Sequence, residues 1–178
     1  MIRLFLAIDI PKIIIKEVQE MGRSIPNARQ VPINQLHITL KFIGEVDEIT
    51  LLDIQKILRE IRQPKFSLCL KGGGTFPPIG TPRILWAGVH PEQKIIDLKN
   101  CIERELAVIN IPKAKKKYTP HLTLARLRNS PVQHVDKFLS DCPLLQTSFF
   151  SVQTFNLYSS QLTQKGAIHT LESCYSLT

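Results

Sequence analysis

One short motif occurs twice in this chain, and the repetition constrains the fold more than any other feature. Residues 37–40 read His-Ile-Thr-Leu, and residues 121–124 read His-Leu-Thr-Leu. Each half of the 178-residue chain contains one copy. Self-similarity of this kind predicts a fold made of two similar halves.

The motif also predicts how its side chains are presented. On an extended strand, successive side chains point to opposite faces. His37, Thr39 and Lys41 then share one face, and the aliphatic residues between them face the core. His121 and Thr123 are arranged in the same way. Two such strands, placed together, present two imidazoles and two hydroxyls to one cavity.

Hydrophobic periodicity divides the chain into alternating strands and helices, with hairpin-like strand pairs in each half. The predicted order is β-α-β-α-β-β-α-β-α-β-β. This order favours an α+β fold with mainly antiparallel sheets and with helices on their outer faces. We therefore expect a single domain over residues 1–178. It consists of two lobes related by a pseudo-twofold axis, with one His-x-Thr motif in each lobe and the active-site cleft between them.

Local signals locate the ends of several elements. Asp9 and Pro11 predict the start of the first helix, and Gly22 predicts its end. Asp47 predicts the cap of the second helix.

Two further stretches predict loops and strands. Residues 72–74 are three glycines that predict the opening of a loop. No Gly-Lys-Ser/Thr follows them, so they do not predict a phosphate-binding loop. Residues 147–159 and 167–175 predict two strands that form a closing hairpin around Lys165 and Gly166.

Composition narrows the class of protein. The formal net charge of +8 favours an anionic partner such as nucleic acid, a nucleotide or a lipid headgroup. No apolar run approaches the ~20 residues that cross a bilayer, and the apolar stretch of residues 1–10 is too short for a secretion signal. Four scattered cysteines predict neither a zinc site nor a disulfide scaffold, and suggest a reducing compartment. We therefore expect a cytoplasmic protein without a membrane partner.

The histidine pair suits the cleavage of a phosphodiester. An unperturbed imidazole has a pKa of about 6.5, so near neutral pH one ring can be neutral while its partner is protonated. The neutral ring takes a proton from water, and the protonated ring gives one to the departing alkoxide. The hydroxyls of Thr39 and Thr123 can donate to the non-bridging phosphate oxygens.

Basic residues near the motifs are candidates for binding the phosphate. Strict alternation directs Arg126 away from His121, so it reaches the cleft only through a bulge or at a strand end. Lys41 lies on the same face as His37 by strict alternation. It either binds the phosphate or is a solvated lysine at the edge of a sheet. Residues 113–117 form a basic segment before the second motif, which either steers RNA or is a solvated surface.

Other residue types have weaker patterns. Aromatic residues that can stack on a base are Phe42, Phe76, Trp86 and Tyr158, with core packing favoured for Phe42 and Trp86. The remaining histidines are expected to be structural or on the surface, and they are His90, His134 and His169. No carboxylate lies near either motif in the sequence, so we expect no metal site.

The sequence resembles the 2H phosphoesterase superfamily and, within it, the RNA 2',3'-cyclic phosphodiesterase family, also called 2'-5' RNA ligases. The resemblance lies in the paired motifs, their spacing, the opening run of residues 3–8 and the run of residues 119–126, and it covers essentially the whole chain. It implies a two-lobed fold with a central cleft. It also implies hydrolysis of a 2',3'-cyclic phosphate RNA end to a 2'-phosphate, without a metal or other cofactor.

The resemblance implies roles for particular residues. His37 and His121 match the catalytic pair, Thr39 and Thr123 match the phosphate-binding hydroxyls, and Arg126 matches the arginine after the second motif. We assign His121 as the base that activates water and His37 as the acid that protonates the leaving 3'-oxygen.

Three alternatives stay open at this point. The reverse reaction joins a 2',3'-cyclic phosphate to a 5'-hydroxyl through a 2'-5' link. The chain can also be a non-catalytic RNA-binding module, or a phosphodiesterase for small cyclic nucleotides. We expect a monomer, because the doubled chain completes its own cleft.

Overall fold

The structure is a computed structural model that describes residues 1–19, 23, 25–164 and 166–178. Over these residues the chain forms the predicted α+β fold, with four α-helices packed on a curled antiparallel sheet. The strands are β1 (Ile2–Asp9), β2 (Ala28–Gln30), β3 (His37–Val46), β4 (Phe66–Phe76), β5 (Ile84–His90), β6 (His121–Leu127), β7 (Phe150–Val152), β8 (Thr154–Thr163) and β9 (Gly166–Ser176). The helices are α1 (Lys12–Val18), α2 (Glu48–Arg59), α3 (Glu92–Ala107) and α4 (Val132–Asp141).

The sheet consists of two halves that meet at the motif strands. The strand order is β7-β4-β5-β6-β3-β1-β8-β9, and β2 pairs with β6. In the described residues, β3 and β6 are joined at one position, where Ile38 lies opposite Leu122. The order β1-α1-β3-α2 of the first half is repeated as β5-α3-β6-α4 in the second. This repetition follows the duplication seen in the sequence.

One hydrophobic core is shared by both halves. It includes Ile14 of α1, Ile54 of α2 and Leu98 of α3, together with Ile38 and Leu122, and each of these side chains is 0% exposed. Because the halves bury their apolar surface against the same cluster, they cannot separate without exposing it. No helix in the described part of the chain has the length and apolar character needed to cross a membrane.

The predicted helix ends are partly confirmed. Asp47 caps α2, since its Oδ1 accepts a hydrogen bond from the backbone N–H of Thr50 at 2.7 Å. The prediction for Asp9 is wrong, because Asp9 is the last residue of β1 and α1 begins at Lys12, after Pro11. Gly22, the predicted end of this helix, lies outside the described residues.

The glycines of residues 72–74 lie within β4 and do not open a loop. A Cβ atom at Gly74 would lie 2.5 Å from Cζ2 of Trp86, so this position needs a residue without a side chain. The glycine lets the indole of Trp86 lie across the neighbouring strand. Close packing selects glycine as a turn does, so the three glycines alone do not distinguish a loop from a closely packed strand.

Residues 147–159 contain two strands instead of the one predicted. β7 pairs with β4 in the second half of the sheet, whereas β8 pairs with β1 in the first half. Gln153 separates them, so the chain crosses from one half to the other at this point. The closing hairpin itself is confirmed as β8 and β9, although Lys165 in its turn lies outside the described residues.

Candidate active site

The two histidine motifs lie side by side. Continuing the antiparallel register from the β3–β6 pair sets His37 opposite Thr123 and His121 opposite Thr39. All four side chains project from the face opposite to the buried aliphatic pair. Diagonal neighbours in such a ladder lie about 7–8 Å apart, with their Cβ atoms somewhat closer, which leaves room for a tetrahedral group between the two imidazoles.

Matching hydrogen bonds fix both rings in the same tautomer. Nδ1 of His37 lies 2.8 Å from the backbone carbonyl of Gln35, and Nδ1 of His121 lies 2.7 Å from that of Thr119. A carbonyl oxygen only accepts, so each Nδ1 carries the hydrogen. Nε2 is then the nitrogen of each ring that can take up or release a proton.

A β-bulge in β6 turns Arg126 toward the cleft. Leu85 and Trp86 are adjacent on β5, yet they pair with Ala125 and Thr123, which leaves one extra residue on β6. The extra residue reverses the alternation of side chains. Arg126 therefore lines the same cleft as Thr123. It reaches the cleft through a bulge, which is one of the two routes predicted for it.

An equivalent bulge in β3 turns Lys41 away from the cleft. The adjacent residues Leu6 and Ala7 pair with Lys41 and Thr39, so β3 also contains an extra residue. Lys41 is only 5% exposed, and its Nζ lies 3.5 Å from a carboxylate oxygen of Glu103. Contrary to the prediction, Lys41 is neither a cleft residue nor a solvated edge lysine.

Phe42 occupies the position in β3 that Arg126 occupies in β6. Its side chain is 68% exposed and lines the cleft. The prediction of core packing for Phe42 is therefore wrong, and the reason is again the bulge, which exchanges the inward and outward positions after Thr39.

The cleft beside the motifs has a volume of about 340 Å³. It is lined by His37, Thr39, Thr123 and Arg126 and also by two arginines that the sequence did not single out, Arg3 and Arg29. None of the described residues that line it is acidic.

Among the described residues, His121 is not one of those that line this cleft, although Thr39, opposite it in the ladder, is one; the ring of His121 packs against an aromatic wall. Its ring centroid is 4.9 Å from that of Phe76 and 6.1 Å from that of Trp86. Phe76 and Trp86 are themselves stacked, with centroids 5.3 Å apart. This wall occupies the second motif's side of the site, so the open volume lies on the side of His37.

His169 was expected to be structural or on the surface, but it forms part of the cleft wall. Its ring lies edge-on to His37, with centroids 5.7 Å apart, and 4.9 Å from Phe5. Its Nδ1 is buried and has no hydrogen-bond partner among the described residues. His90 and His134 are exposed, as predicted.

Burial lowers the pKa of both motif histidines below the ordinary value of 6.5. For His37, the bond to Gln35 opposes this effect, and so does the carboxylate of Asp9, whereas the nearby rings of His169 and His121 lower the pKa further. For His121, the bond to Thr119 opposes the effect of burial. The two rings thus have similar hydrogen bonds but different charged neighbours.

Asp9 is the charged group that distinguishes His37. It lies directly opposite His37 in the β1–β3 ladder. Its carboxylate accepts hydrogen bonds from the hydroxyl of Tyr158 at 2.8 Å and from Nδ2 of Asn156 at 2.9 Å. Local sequence patterns do not predict this contact, because an aspartate shortly before a proline and an apolar helix is typical of a helix start.

The predicted basic segment lies apart from the cleft. The basic segment of residues 113–117 is exposed in the loop before β6 and does not line the cleft. Within the described ranges, no group of three or more His, Cys, Asp or Glu side chains is arranged to hold a metal ion.

Known proteins of one family match this chain over most of its length. A family profile described as the 2'-5' RNA ligase superfamily matches residues 12–163. A protein of Archaeoglobus fulgidus named RNA 2',3'-cyclic phosphodiesterase is 32% identical over 94% of this chain and 96% of its own length. A Thermotoga maritima protein of the same name is 31% identical over 94% of this chain and 91% of its own length.

Solved structures agree with these sequence matches. A Thermus thermophilus structure superimposes with a TM-score of 0.81 at 30% identity, and covers 98% of this chain and 97% of its own. Escherichia coli LigT, crystallised with 3'-AMP, superimposes with a TM-score of 0.80 at 25% identity, and covers 99% of this chain and 98% of its own. The chain belongs to the 2'-5' RNA ligase superfamily.

Proposed function

We propose that this chain hydrolyses the 2',3'-cyclic phosphate at the 3' end of RNA and leaves a 2'-phosphate. The observation that carries the proposal is the pair of adjacent histidines, each with Nδ1 bound to a backbone carbonyl and Nε2 left for proton transfer. The relatives named RNA 2',3'-cyclic phosphodiesterase support the choice of substrate.

In the proposed reaction, the phosphate lies between the two rings. Nε2 of His121 removes a proton from water, and the water oxygen attacks phosphorus as the bond to the 3'-oxygen breaks. Nε2 of His37 gives its proton to that 3'-oxygen. The hydroxyls of Thr39 and Thr123 donate to the non-bridging oxygens.

One further residue of the site acts on the charge of the phosphate. Arg126 adds charge-assisted hydrogen bonds to the phosphate oxygens. Both proton transfers are made by imidazoles, so the scheme requires no metal ion or other cofactor.

The assignment of His37 as the acid rests on the asymmetry of the site. The acid must face the leaving 3'-oxygen, and therefore the nucleoside. The open volume of the cleft lies on the side of His37, whereas aromatic rings border His121. Asp9 also favours the protonated form of His37.

Hydrolysis is proposed over ligation, because water is the abundant nucleophile unless RNA holds a 5'-hydroxyl in place. A non-catalytic RNA-binding role is disfavoured, because binding alone does not require two rings held in one tautomer. Both motifs come from one chain, so a monomer suffices. The four free thiols, at Cys69, Cys101, Cys142 and Cys174, fit the proposed cytoplasmic location.

The test uses an RNA oligonucleotide with a 2',3'-cyclic phosphate end, and the product is identified as a 2'- or 3'-phosphate. We expect a 2'-phosphate and no loss of rate in EDTA. His37→Ala and His121→Ala should each lower kcat by about 10²–10⁴-fold, the usual contribution of a general acid or base. His134→Ala, which changes an exposed histidine of α4, is the control and should keep the rate.

Two outcomes contradict the proposal. One is a near-normal rate in folded His37→Ala. The other is activity that disappears in EDTA and returns with a divalent metal.

A further inference from the structure

The two halves of the sheet meet at a short junction. In the described residues, the ladder between β3 and β6 contains one pair, Ile38 and Leu122. If this register continued, Pro120 would lie opposite Leu40, and a proline has no N–H to donate to the neighbouring strand. Contacts other than ladder bonds therefore have to hold the two motif strands in place.

Tyr118, which precedes the second motif, makes such a contact. Its hydroxyl donates a hydrogen bond to the backbone carbonyl of Thr39 at 2.9 Å. Burial raises the pKa of this hydroxyl, so it keeps its proton and remains a donor at neutral pH. The contact thus joins the lead-in of the second motif to the middle of the first motif.

Thr39 lies where the β1–β3 ladder is irregular. Its neighbour Leu40 is the extra residue of the bulge in β3. A bulge leaves one residue unpaired and disrupts the ladder locally. The bond from Tyr118 therefore fixes the backbone of Thr39 at a point where the ladder is interrupted, and the hydroxyl of Thr39 is a proposed phosphate donor.

The ring of Tyr118 is itself held by α3. Nζ of Lys99 lies 5.6 Å from the ring centroid, a distance at which an ammonium group is attracted to an aromatic face. Glu103 fixes Lys99 in turn, because its carboxylate accepts a hydrogen bond from Nζ at 2.6 Å. Both Lys99 and Glu103 are buried. The hydroxyl of Tyr118 is therefore carried by a ring that α3 holds in position.

The first motif has a comparable anchor on its own lead-in. The carbonyl that binds Nδ1 of His37 belongs to Gln35, and Nε2 of Gln35 donates to a backbone carbonyl of β9 at 2.8 Å. The carbonyl that binds Nδ1 of His121 belongs to Thr119, directly after Tyr118. On each side, a side-chain hydrogen bond thus anchors the backbone that sets the tautomer of the histidine. The first anchor is attached to β9, whereas the second is attached to the opposite motif.

From these contacts we propose that Tyr118 is a positioning residue of the reaction. It fixes Thr39 in the first motif and, through the carbonyl of Thr119, the ring of His121 in the second, so one hydroxyl aligns the two motifs. The inference rests on the proposed function for its effect on the rate. Tyr118 acts through these groups and takes no part in the proton transfers.

Tyr118→Phe removes the hydroxyl and keeps the ring, so it tests the hydrogen bond alone. With an RNA oligonucleotide that ends in a 2',3'-cyclic phosphate, kcat should fall by about 3–10-fold, roughly the effect of one hydrogen bond. The value of kcat/KM should fall equally, because the alignment of reacting groups affects the transition state and not the binding of substrate. A role confined to stability would lower the urea midpoint and leave kcat of the folded enzyme unchanged, and that result would overturn the proposal.

Tyr175→Phe is the matched control. Tyr175 is a buried tyrosine of β9 that stacks on Phe155 in the core, with ring centroids 5.0 Å apart. The same loss of a hydroxyl at this position should leave kcat as it is in the unmodified protein. An equal fall of kcat in both variants would overturn the assignment, because the effect would then not depend on the contact with Thr39.

A spectroscopic measurement keeps the test independent of turnover. Proton–nitrogen correlation spectra of the histidine rings report which ring nitrogen carries the hydrogen, at about pH 8, where an ordinary imidazole is neutral. In the unmodified protein, both motif histidines should show the Nδ1–H tautomer alone. In Tyr118→Phe, His121 should show both tautomers while His37 keeps one, because Gln35 is anchored separately.

A spectrum of His121 that does not change in Tyr118→Phe would overturn the proposal. If the unmodified protein did not hydrolyse the RNA at all, the proposed function would fail. The tautomers of His121 in the two proteins would still decide whether Tyr118 positions that ring.

Discussion

His37 and His121 have the same residue type, the same tautomer and the same burial effect on the pKa, but they do not have the same neighbours. Asp9 faces His37 across the β1–β3 ladder, whereas His121 packs against Phe76. When two groups of the same type share a site, different charged neighbours give them different pKa values, and one then acts as the acid and the other as the base. The direction of the proposed reaction therefore depends on Asp9 as well as on the motif.

Asp9→Asn should change the pH profile in a defined direction. The carboxylate of Asp9 raises the pKa of His37, so its removal lowers that pKa further. An acid must be protonated, and kcat/KM falls above its pKa. The alkaline limb of the kcat/KM profile should therefore move to lower pH, while the acidic limb stays in place.

The measurement is kcat/KM on cyclic-phosphate RNA between about pH 4.5 and 9, since the profile reports the groups of the free enzyme. Asp136→Asn, which changes an exposed carboxylate of α4, should move neither limb. A shift of the acidic limb alone would reverse the roles of the two histidines. If neither limb moved, Asp9 would have no part in setting the acid.

At the scale of single strands, alternation predicted the motif residues correctly up to the bulges. His37, Thr39, His121 and Thr123 were assigned to one face from the sequence, and the register agrees. After the extra leucine of each motif strand, strict alternation no longer holds. The assignment of Lys41 is therefore wrong, whereas Arg126 lines the cleft through a bulge, the route predicted for it. A leucine before a bulge looks like any other core residue, so the pattern did not predict that Lys41 turns inward.

Local sequence patterns also do not predict which residues reach the cleft through pairing of strands that are far apart in the chain. Arg29 reaches it because β2 pairs with β6, nearly 100 residues later in the chain. His169 reaches it because β9 pairs with β8, which in turn pairs with β1. Short-range periodicity does not contain these pairings, which depend on the packing of the whole sheet.

Polar contacts attach the loop between α3 and β6 to the first motif strand, β3, and to α3. The hydroxyl of Tyr118 donates to the backbone carbonyl of Thr39 at 2.9 Å. Nζ of Lys41 donates to the carbonyl of Pro112 at 2.7 Å, and the N–H of Ala114 donates to Glu103 at 2.9 Å. These contacts explain what the buried Lys41 does, since they position the segment that leads into His121.

Glu103 is the group on which these contacts depend. Its carboxylate receives Lys99 Nζ at 2.6 Å and faces Lys41, with a side chain that is 6% exposed. Burial raises its pKa, but the bonds from Lys99 and Ala114 and the two ammonium charges outweigh this effect, and the pKa is lowered. Glu103 is therefore ionised at neutral pH in the folded protein.

Glu103→Gln should destabilise the protein strongly, because two buried ammonium groups lose their counter-charge. Removing one partner of a buried ion pair costs about 3–5 kcal/mol. Glu105→Gln is the matched control on the same helix. Its partner Arg104 is 69% exposed, and such surface pairs contribute about 0–1 kcal/mol. Urea unfolding measures both, and equal midpoints for the two variants would contradict a stabilising role for Glu103.

At the scale of the whole molecule, the two halves of the sheet are not successive pieces of chain. The first half contains β1 and β3 together with β8 and β9, which follow the entire second half in sequence. Phe155 and Leu157 of β8 are 0% exposed in the core that both halves share. The histidine pair lies where β3 and β6 join the two halves, so its geometry depends on both halves being complete.

A fragment of residues 1–153 should therefore fail to fold, although it contains both His-x-Thr motifs and the four helices described. It lacks the buried side chains of Phe155, Leu157 and Leu177. Burying each contributes about 1.5–3 kcal/mol, so the loss is roughly 5–9 kcal/mol. This is comparable with the whole stability of a typical domain, about 5–15 kcal/mol, before the newly exposed surface of β1 is counted.

The measurement is urea unfolding followed by far-ultraviolet circular dichroism. The fragment should show no cooperative transition, because the core on the β1 side is open. The control is Leu171→Ala in the full chain, where a 53% exposed side chain of β9 is shortened and the change should stay within about 0.5 kcal/mol. If the fragment unfolded cooperatively at the midpoint of the full chain, the first motif strand would not depend on β8 and β9. The geometry of the histidine pair would then not require those two strands.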